Sequence, residues 1–221
     1  LIDKKKLNKN KKSLTDLYYK ILKIYKKIKV KVDNIDFQRV ETLENISTDF
    51  CSITIVNYIK RNLKYIYKIT CFNSDIYYYS KHSLQEVKNR KEIIKRMGEI
   101  CCIIEIMRKL YKNNNHLTLH YYETDFKKEF PSNKGEILTE LNCNSGASYI
   151  GMNLIYIWRI EEFRRVLIHE LIHSFGGDKN LIFNENSLND SLGNYFCLEK
   201  NSYININETF TETLATIINL I

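Results

Sequence analysis

Apolar side chains return at helical spacing through Leu14, Leu17, Tyr18, Ile21, Leu22, Ile24, Tyr25 and Ile28, so residues 1–32 are predicted as one amphipathic helix. A second helix is expected over 47–61. The chain then changes period. Residues 64–70 alternate and are β-branched, residues 76–79 are aromatic-rich, and Asn73-Ser74-Asp75 joins them as a hairpin. Ser83-x-x-Glu86 has the spacing of a capping box. It opens a predicted helix to about residue 110, with Val87, Ile94, Met97, Ile100, Cys101, Ile104 and Met107 on its apolar side. Asn113-Asn114-Asn115 ends that helix. Strands are expected at 117–122, 137–141 and 152–158, with a charged loop around Pro131 and a turn at Asn144-Ser145-Gly146. Two further helices follow, over 161–175 and from about 205 to the end. Helices, then a mixed sheet, then helices make an α+β chain. It divides into a basic helical region with a hairpin, 1–82, and a second domain, 83–221.

The chemistry gathers on the helix at 161–175. Phe163, Val166, Leu167, Leu171, Ile172 and Phe175 keep its helical period, Glu161 and Glu162 suit its positive N-terminal end, and Gly176-Gly177 stops it. His169 and His173 are four residues apart, one turn, on one face. Both imidazoles can reach one tetrahedral zinc, and Glu170 lies beside them, where a carboxylate can take a proton from metal-activated water. This is the H-E-x-x-H arrangement. The plainer alternative is a buried helix with two satisfied histidines and an ion-paired glutamate. His116 and His120 share the same spacing but fall in a predicted strand, so they are read as ordinary, as is His82.

A catalytic zinc needs a third protein ligand and an open position. No histidine follows His173, so the ligand is sought among Asp178, Glu185, Asp190, Glu199, Glu208 and Glu212. Glu208 is preferred because Asn207-Glu208 leads into a helix of regular apolar period, and a ligand needs a rigid support. Glu212, one turn on, is placed to accept the second N–H of a zinc-bound imidazole. Glu212 or an aspartate stays open as the ligand. Both acids also fit a capping role, through Asn205-x-x-Glu208 and Thr209-x-x-Glu212.

These residues resemble the gluzincin branch of the zincin metallopeptidases, whose pattern is H-E-x-x-H on one helix and N-E-x-x-x-(D/E) on a later one. The resemblance implies His169, His173 and Glu208 as zinc ligands, Glu170 as general base and Glu212 as the acid supporting a histidine. It implies a zincin-like fold for 83–221, a mixed sheet packed on the active-site helix, and a zinc-dependent peptidase acting on proteins or peptides. Residues 84–221 are also loosely similar to uncharacterised metallopeptidase-like proteins of large DNA viruses. The stretch 169–175 is similar to mitochondrial processing peptidases. For an oxyanion stabiliser, Tyr195, Tyr203 and Arg159 are the candidates, and the strand at 152–158 is expected to receive the substrate backbone.

Charge adds a second possibility. The formal balance is +8, with twelve lysines between Lys4 and Lys31. Such an arm suits an acidic partner, a nucleic acid or a membrane surface. A solvated, lysine-rich helix face is the plainer reading. A third alternative is a zinc-stabilised interaction domain without turnover. The six cysteines form no C-x-x-C pair and read as reduced thiols, which points to an intracellular setting, cytoplasm, host cytoplasm or virion. No apolar run reaches the length of a membrane span.

Overall fold

The computed structural model describes residues 4–28, 35–40, 50–131, 133, 135–179, 185–197 and 205–221. Among these are eight helices and one mixed six-stranded sheet, so the chain is α+β. The order along the chain is α1 (Lys4–Tyr25), β1 (Gln38–Val40), α2 (Ile53–Asn62), β2 (Tyr65–Cys71), β3 (Ser74–Ser80), α3 (Leu84–Asn89) and α4 (Lys91–Tyr111). Then come β4 (Leu117–Tyr122), α5 (Glu140–Cys143), β5 (Gly146–Ser148), β6 (Leu154–Ile157), α6 (Phe163–Ser174), α7 (Glu185–Tyr195) and α8 (Ile206–Asn219).

The sheet order is β1-β2-β3-β4-β6-β5. The hairpin β2–β3 is antiparallel, and its turn puts Phe72 and Asn73 at positive φ. β3, β4 and β6 run parallel, and β5 returns antiparallel to β6 at the end of the sheet. The sheet takes three strands from each side of the 82/83 boundary, so that boundary does not separate two cores.

Alternation sends Tyr67, Ile69, Ile76, Tyr78, Leu117, Leu119, Tyr121, Ile155 and Ile157 to one face of the sheet. There they meet Ile93, Met97, Ile100, Ile104 and Met107 of α4 and Leu167, Leu171 and Ile172 of α6, all essentially without solvent contact. α1 docks on α4, with Ile21 and Leu17 joining this core. The other face carries Tyr79, Tyr122 and Trp158 against Ile55, Val56 and Ile59 of α2.

Several local expectations change. The single helix over 83–110 is two. The Ser83–Glu86 capping box forms, but Arg90 adopts an extended conformation (φ −93, ψ 98) and separates α3 from α4. The break lets α3 bury Val87 in the main core. The strand expected at 137–141 is absent: Ile137 and Leu138 are exposed, and Thr139 caps α5 through Asn142 Oδ1, which accepts from both its N–H and its hydroxyl at 2.9 Å. Short polar residues prevailed there by bonding the backbone locally. The helix expected from residue 47 begins at Ile53, capped by Ser52, and 41–49 lie outside the described residues, as do 1–3 and 29–34. α7 was not anticipated in its polar sequence. No described helix is long and apolar enough to cross a membrane.

His116 and His120 are no metal pair. His116 pairs with Asp75 at 3.3 Å. His120 is stacked between Tyr77 of β3 and Tyr156 of β6, with ring centroids 5.2 and 5.0 Å away, and its Nδ1 is hydrogen-bonded with the Tyr79 hydroxyl at 3.0 Å. Burial pulls its pKa down to about 4. Above the ordinary histidine pKa of about 6.5, the imidazole is neutral whether folded or unfolded. As pH falls from there toward 4, the unfolded chain gains a proton that the folded chain refuses. Stability is therefore lost over that window, by at most about 1.4 kcal/mol per pH unit. Urea unfolding at pH 7 and pH 5 is expected to show a smaller drop in His120→Phe than in the unaltered chain. Equal drops would locate the acid sensitivity elsewhere.

Candidate metal centre

α6 starts abruptly. Glu162 sits at its N-cap in the left-handed region (φ 56), and Glu161 accepts the Lys128 backbone N–H at 2.9 Å. Its apolar stripe faces the core, so the opposite side presents Arg165, His169 and His173 at one-turn intervals. Gly176 ends the helix at φ +70. Its N–H donates to the His173 carbonyl at 2.8 Å, and the Gly177 N–H donates to the Ile172 carbonyl at 2.7 Å. This is a Schellman termination. A side chain at Gly177 would run into Tyr111, 2.6 Å from a Cβ, so the chain passes that point only as glycine.

The turn brings Asp178 back beneath the helix. It is fully buried, and its Oδ2 lies 2.7 Å from His173 Nδ1. Sequence reasoning named Asp178 only as one acid among several and gave it no role. The signal was present in the diglycine that precedes it, which can reverse the chain within one turn of His173.

α8 supplies the remaining acids. Asn205 caps it, accepting the Glu208 backbone N–H at 3.1 Å. The Glu208 carboxylate points to the histidines, with Oε2 3.1 Å from His169 Nε2 and Oε1 3.3 Å from His173 Nε2. Glu212, one turn later, places Oε2 3.1 Å from His169 Nδ1 and also pairs with Arg165. The structure thus brings together all five residues singled out in the sequence: His169, Glu170, His173, Glu208 and Glu212.

The two Nε2 atoms are 3.1 Å apart, and His169, His173 and Glu208 offer ligand atoms all within 4.8 Å of one another. Ligands about 2.0–2.1 Å from a tetrahedral zinc stand roughly 3.3 Å apart, close to the 3.1, 3.3 and 3.1 Å observed here. With each Nδ1 facing a carboxylate, both Nε2 atoms and the Glu208 carboxylate converge on one point. Such a donor set fits a cation.

Electrostatics agree. Bonds from His169 and His173 hold the Glu208 carboxyl well below the usual range. Burial by itself lowers His173, but Glu208 and Asp178 outweigh it and raise the imidazole to about 9. Glu170 is buried beside the pair. Its burial pushes the carboxyl upward, against the pull of His169, the Ser148 hydrogen bond and His173. The Ser148 hydroxyl lies 2.7 Å from Glu170 Oε2.

Ser148 belongs to β5, which forms the wall of a cleft of about 550 Å³ over the histidines. The expected substrate strand at 152–158 is a correction. β6 is hydrogen-bonded on both sides, to β4 and β5, so it has no free edge, and the edge is β5. Gly146 allows β5 to approach α6, since a Cβ there would meet Val166 at 2.9 Å and Glu170 at 3.1 Å. Arg159 is also reassigned. Its guanidinium is buried and donates to the Asn144 and Leu141 carbonyls, which props the segment leading into β5. Tyr195 is exposed and does not line the cleft, and Tyr203 lies outside the described residues.

Compared with known proteins, the chain matches no family model, no curated protein and no solved structure.

Where Zn²⁺ is taken up on titration, Asp178→Ala is expected to weaken its binding roughly 10–100-fold, because His173 loses the acceptor that orients it. Asp178→Asn keeps an acceptor oxygen and is expected to restore most of the affinity. Competition against a chromogenic chelator measures both. Unchanged affinity in Asp178→Ala would remove Asp178 from the site.

Proposed function

We propose that this chain is a zinc-dependent peptidase of zincin-like architecture, with His169, His173 and Glu208 as metal ligands. The observation that carries the reading is the convergence of those three side chains at tetrahedral spacing, with both imidazoles backed by carboxylates. A mixed sheet that ends in an antiparallel edge strand beside the histidine helix supports the zincin-like reading.

A bound zinc ion would polarise the scissile carbonyl and lower the pKa of water in the cleft. The chain's own residues supply the rest. Glu170 takes a proton from the attacking water at its carboxylate and returns it to the leaving amine, acting first as base and then as acid. Its burial beside apolar Val166 strengthens it as a base, and Ser148 orients it. With a metal in place, Glu212 and Asp178 would accept the Nδ1 protons of the two imidazoles and leave each Nε2 to the ion. An extended substrate adds to the open edge of β5 by backbone hydrogen bonds, which sets the scissile bond across the histidines. The chain's partner is then a protein or peptide substrate.

Elemental analysis of protein purified without chelator tests the reading. The unaltered chain is expected to carry one zinc, Glu170→Gln to keep it and Glu208→Gln to lose it. Against a peptide library, Glu170→Gln is expected to lower kcat/KM by about 10²–10⁴-fold. A chain that neither carries zinc nor takes it up on titration would end this reading. Full zinc with no cleavage of any peptide would leave a structural metal site.

A further inference from the structure

We propose that the cleft selects substrates bearing a carboxylate close to the scissile bond, and that Lys128 is the side chain that reads it. The inference deepens the peptidase reading and rests on it.

Most charges lining the cleft are already engaged. Glu170 holds Ser148, Glu208 holds both histidines, and Glu212 holds His169 and Arg165. Two cations line the same walls, Lys128 and Arg165. Arg165 is paired twice, with one guanidinium nitrogen on Glu212 and another 2.5 Å from Glu162. Lys128 is different. Among the described residues its nearest acid is again Glu162, 4.0 Å away, and that carboxylate oxygen is the one Arg165 already occupies. Glu162 does not line the cleft.

The lysine is also held in place. Thr124, four residues before it, donates to the Trp158 carbonyl, and Phe126 packs edge-on against Tyr58 at 5.2 Å. The backbone N–H of Lys128 is bonded to Glu161, and the next carbonyl, that of Glu129, accepts from Asn142 at 2.7 Å. Only about a third of the side chain meets solvent, 31%. Burial pulls its pKa below the usual lysine value, and Arg165 adds to that pull. An ammonium fixed in a partly desolvated wall, poorly paired and near a second cation, is improved by an anion arriving in the cleft. Peptides offer that anion from two sources, an aspartate or glutamate side chain or a free C-terminus. A basic residue at the same position is repelled.

Peptide binding to the zinc-loaded Glu170→Gln chain tests the inference without requiring turnover. The probes are fluorescent amidated peptides with Glu, Gln or Lys at each position in turn, and the Gln series with a free C-terminus. Anisotropy is expected to show one position where Glu binds at least about tenfold tighter than Lys. Adding Lys128→Glu is expected to reverse that ratio, and Lys128→Met to bring it near unity. Because each ratio is taken within one protein, a general loss of affinity cancels. A free C-terminus that replaces the Glu effect identifies the terminal carboxylate as the ligand; a Glu effect in amidated peptides identifies the side chain. The same Glu:Lys ratio in all three proteins, or no preference in Glu170→Gln alone, overturns the assignment to Lys128. Failure of the unaltered zinc-loaded chain to cleave any peptide overturns the peptidase reading instead. Failure of every peptide to bind overturns both.

Discussion

Two imidazoles on successive turns of α6 point their Nε2 atoms at each other across 3.1 Å, and the surrounding half of the molecule is arranged to make that tolerable. Two ring nitrogens at that distance repel unless a proton on one of them, or a cation between them, supplies positive charge, which neighbouring acids favour. The chain answers with three carboxylates. Glu208 faces both Nε2 atoms, while Glu212 and Asp178 each take an Nδ1. Three acids, Glu170, Glu208 and Glu212, line one cleft and Asp178 lies buried behind His173, in a chain whose formal charge is +8. That local excess of acid against the global balance favours positive charge at this point.

The remaining structure sets the distances. α4 and the inner sheet face form a core with essentially no solvent contact, and α6 lies on it through Leu167, Leu171 and Ile172. A helix pinned along its full apolar stripe has no freedom to rotate its opposite face. The edge strand β5 is brought close by the missing side chain of Gly146 and is held from behind by Arg159 and Trp158, which donate to the Asn144 carbonyl. α8 packs against α6 and carries Glu208 in its first turn, where the helix N-terminus also favours an acid.

Polar networks away from the cleft are structural. Glu123 is buried just past the end of β4 but accepts from Tyr78 at 2.6 Å and Ser80 at 2.7 Å and faces Arg96 at 3.5 Å, so its charge is compensated. Cys51, Cys71, Cys101, Cys102, Cys143 and Cys197 are free thiols. The basic helix α1 packs by Ile21 and Leu17 and keeps Lys11, Lys12, Lys20 and Lys23 in solvent.

What the sequence by itself determined was local and periodic. The helix carrying His169, Glu170 and His173 was legible because burial repeats every 3.6 residues and the histidines fall opposite that stripe. The β2–β3 hairpin, β4 and the helix bearing Glu208 and Glu212 were legible for the same kind of reason. Choices between competing local signals went to tertiary structure. Glu208 has capping-box spacing from Asn205, and only the position of α6 turned its carboxylate to the histidines. Asp178, the edge position of β5, the structural use of Arg159 and the isolation of Lys128 all depend on contacts between segments distant in the chain or on a turn whose direction no periodicity encodes. Periodicity reports which face of an element is buried; it carries no information about which other element does the burying, and this site is made at the junction of four.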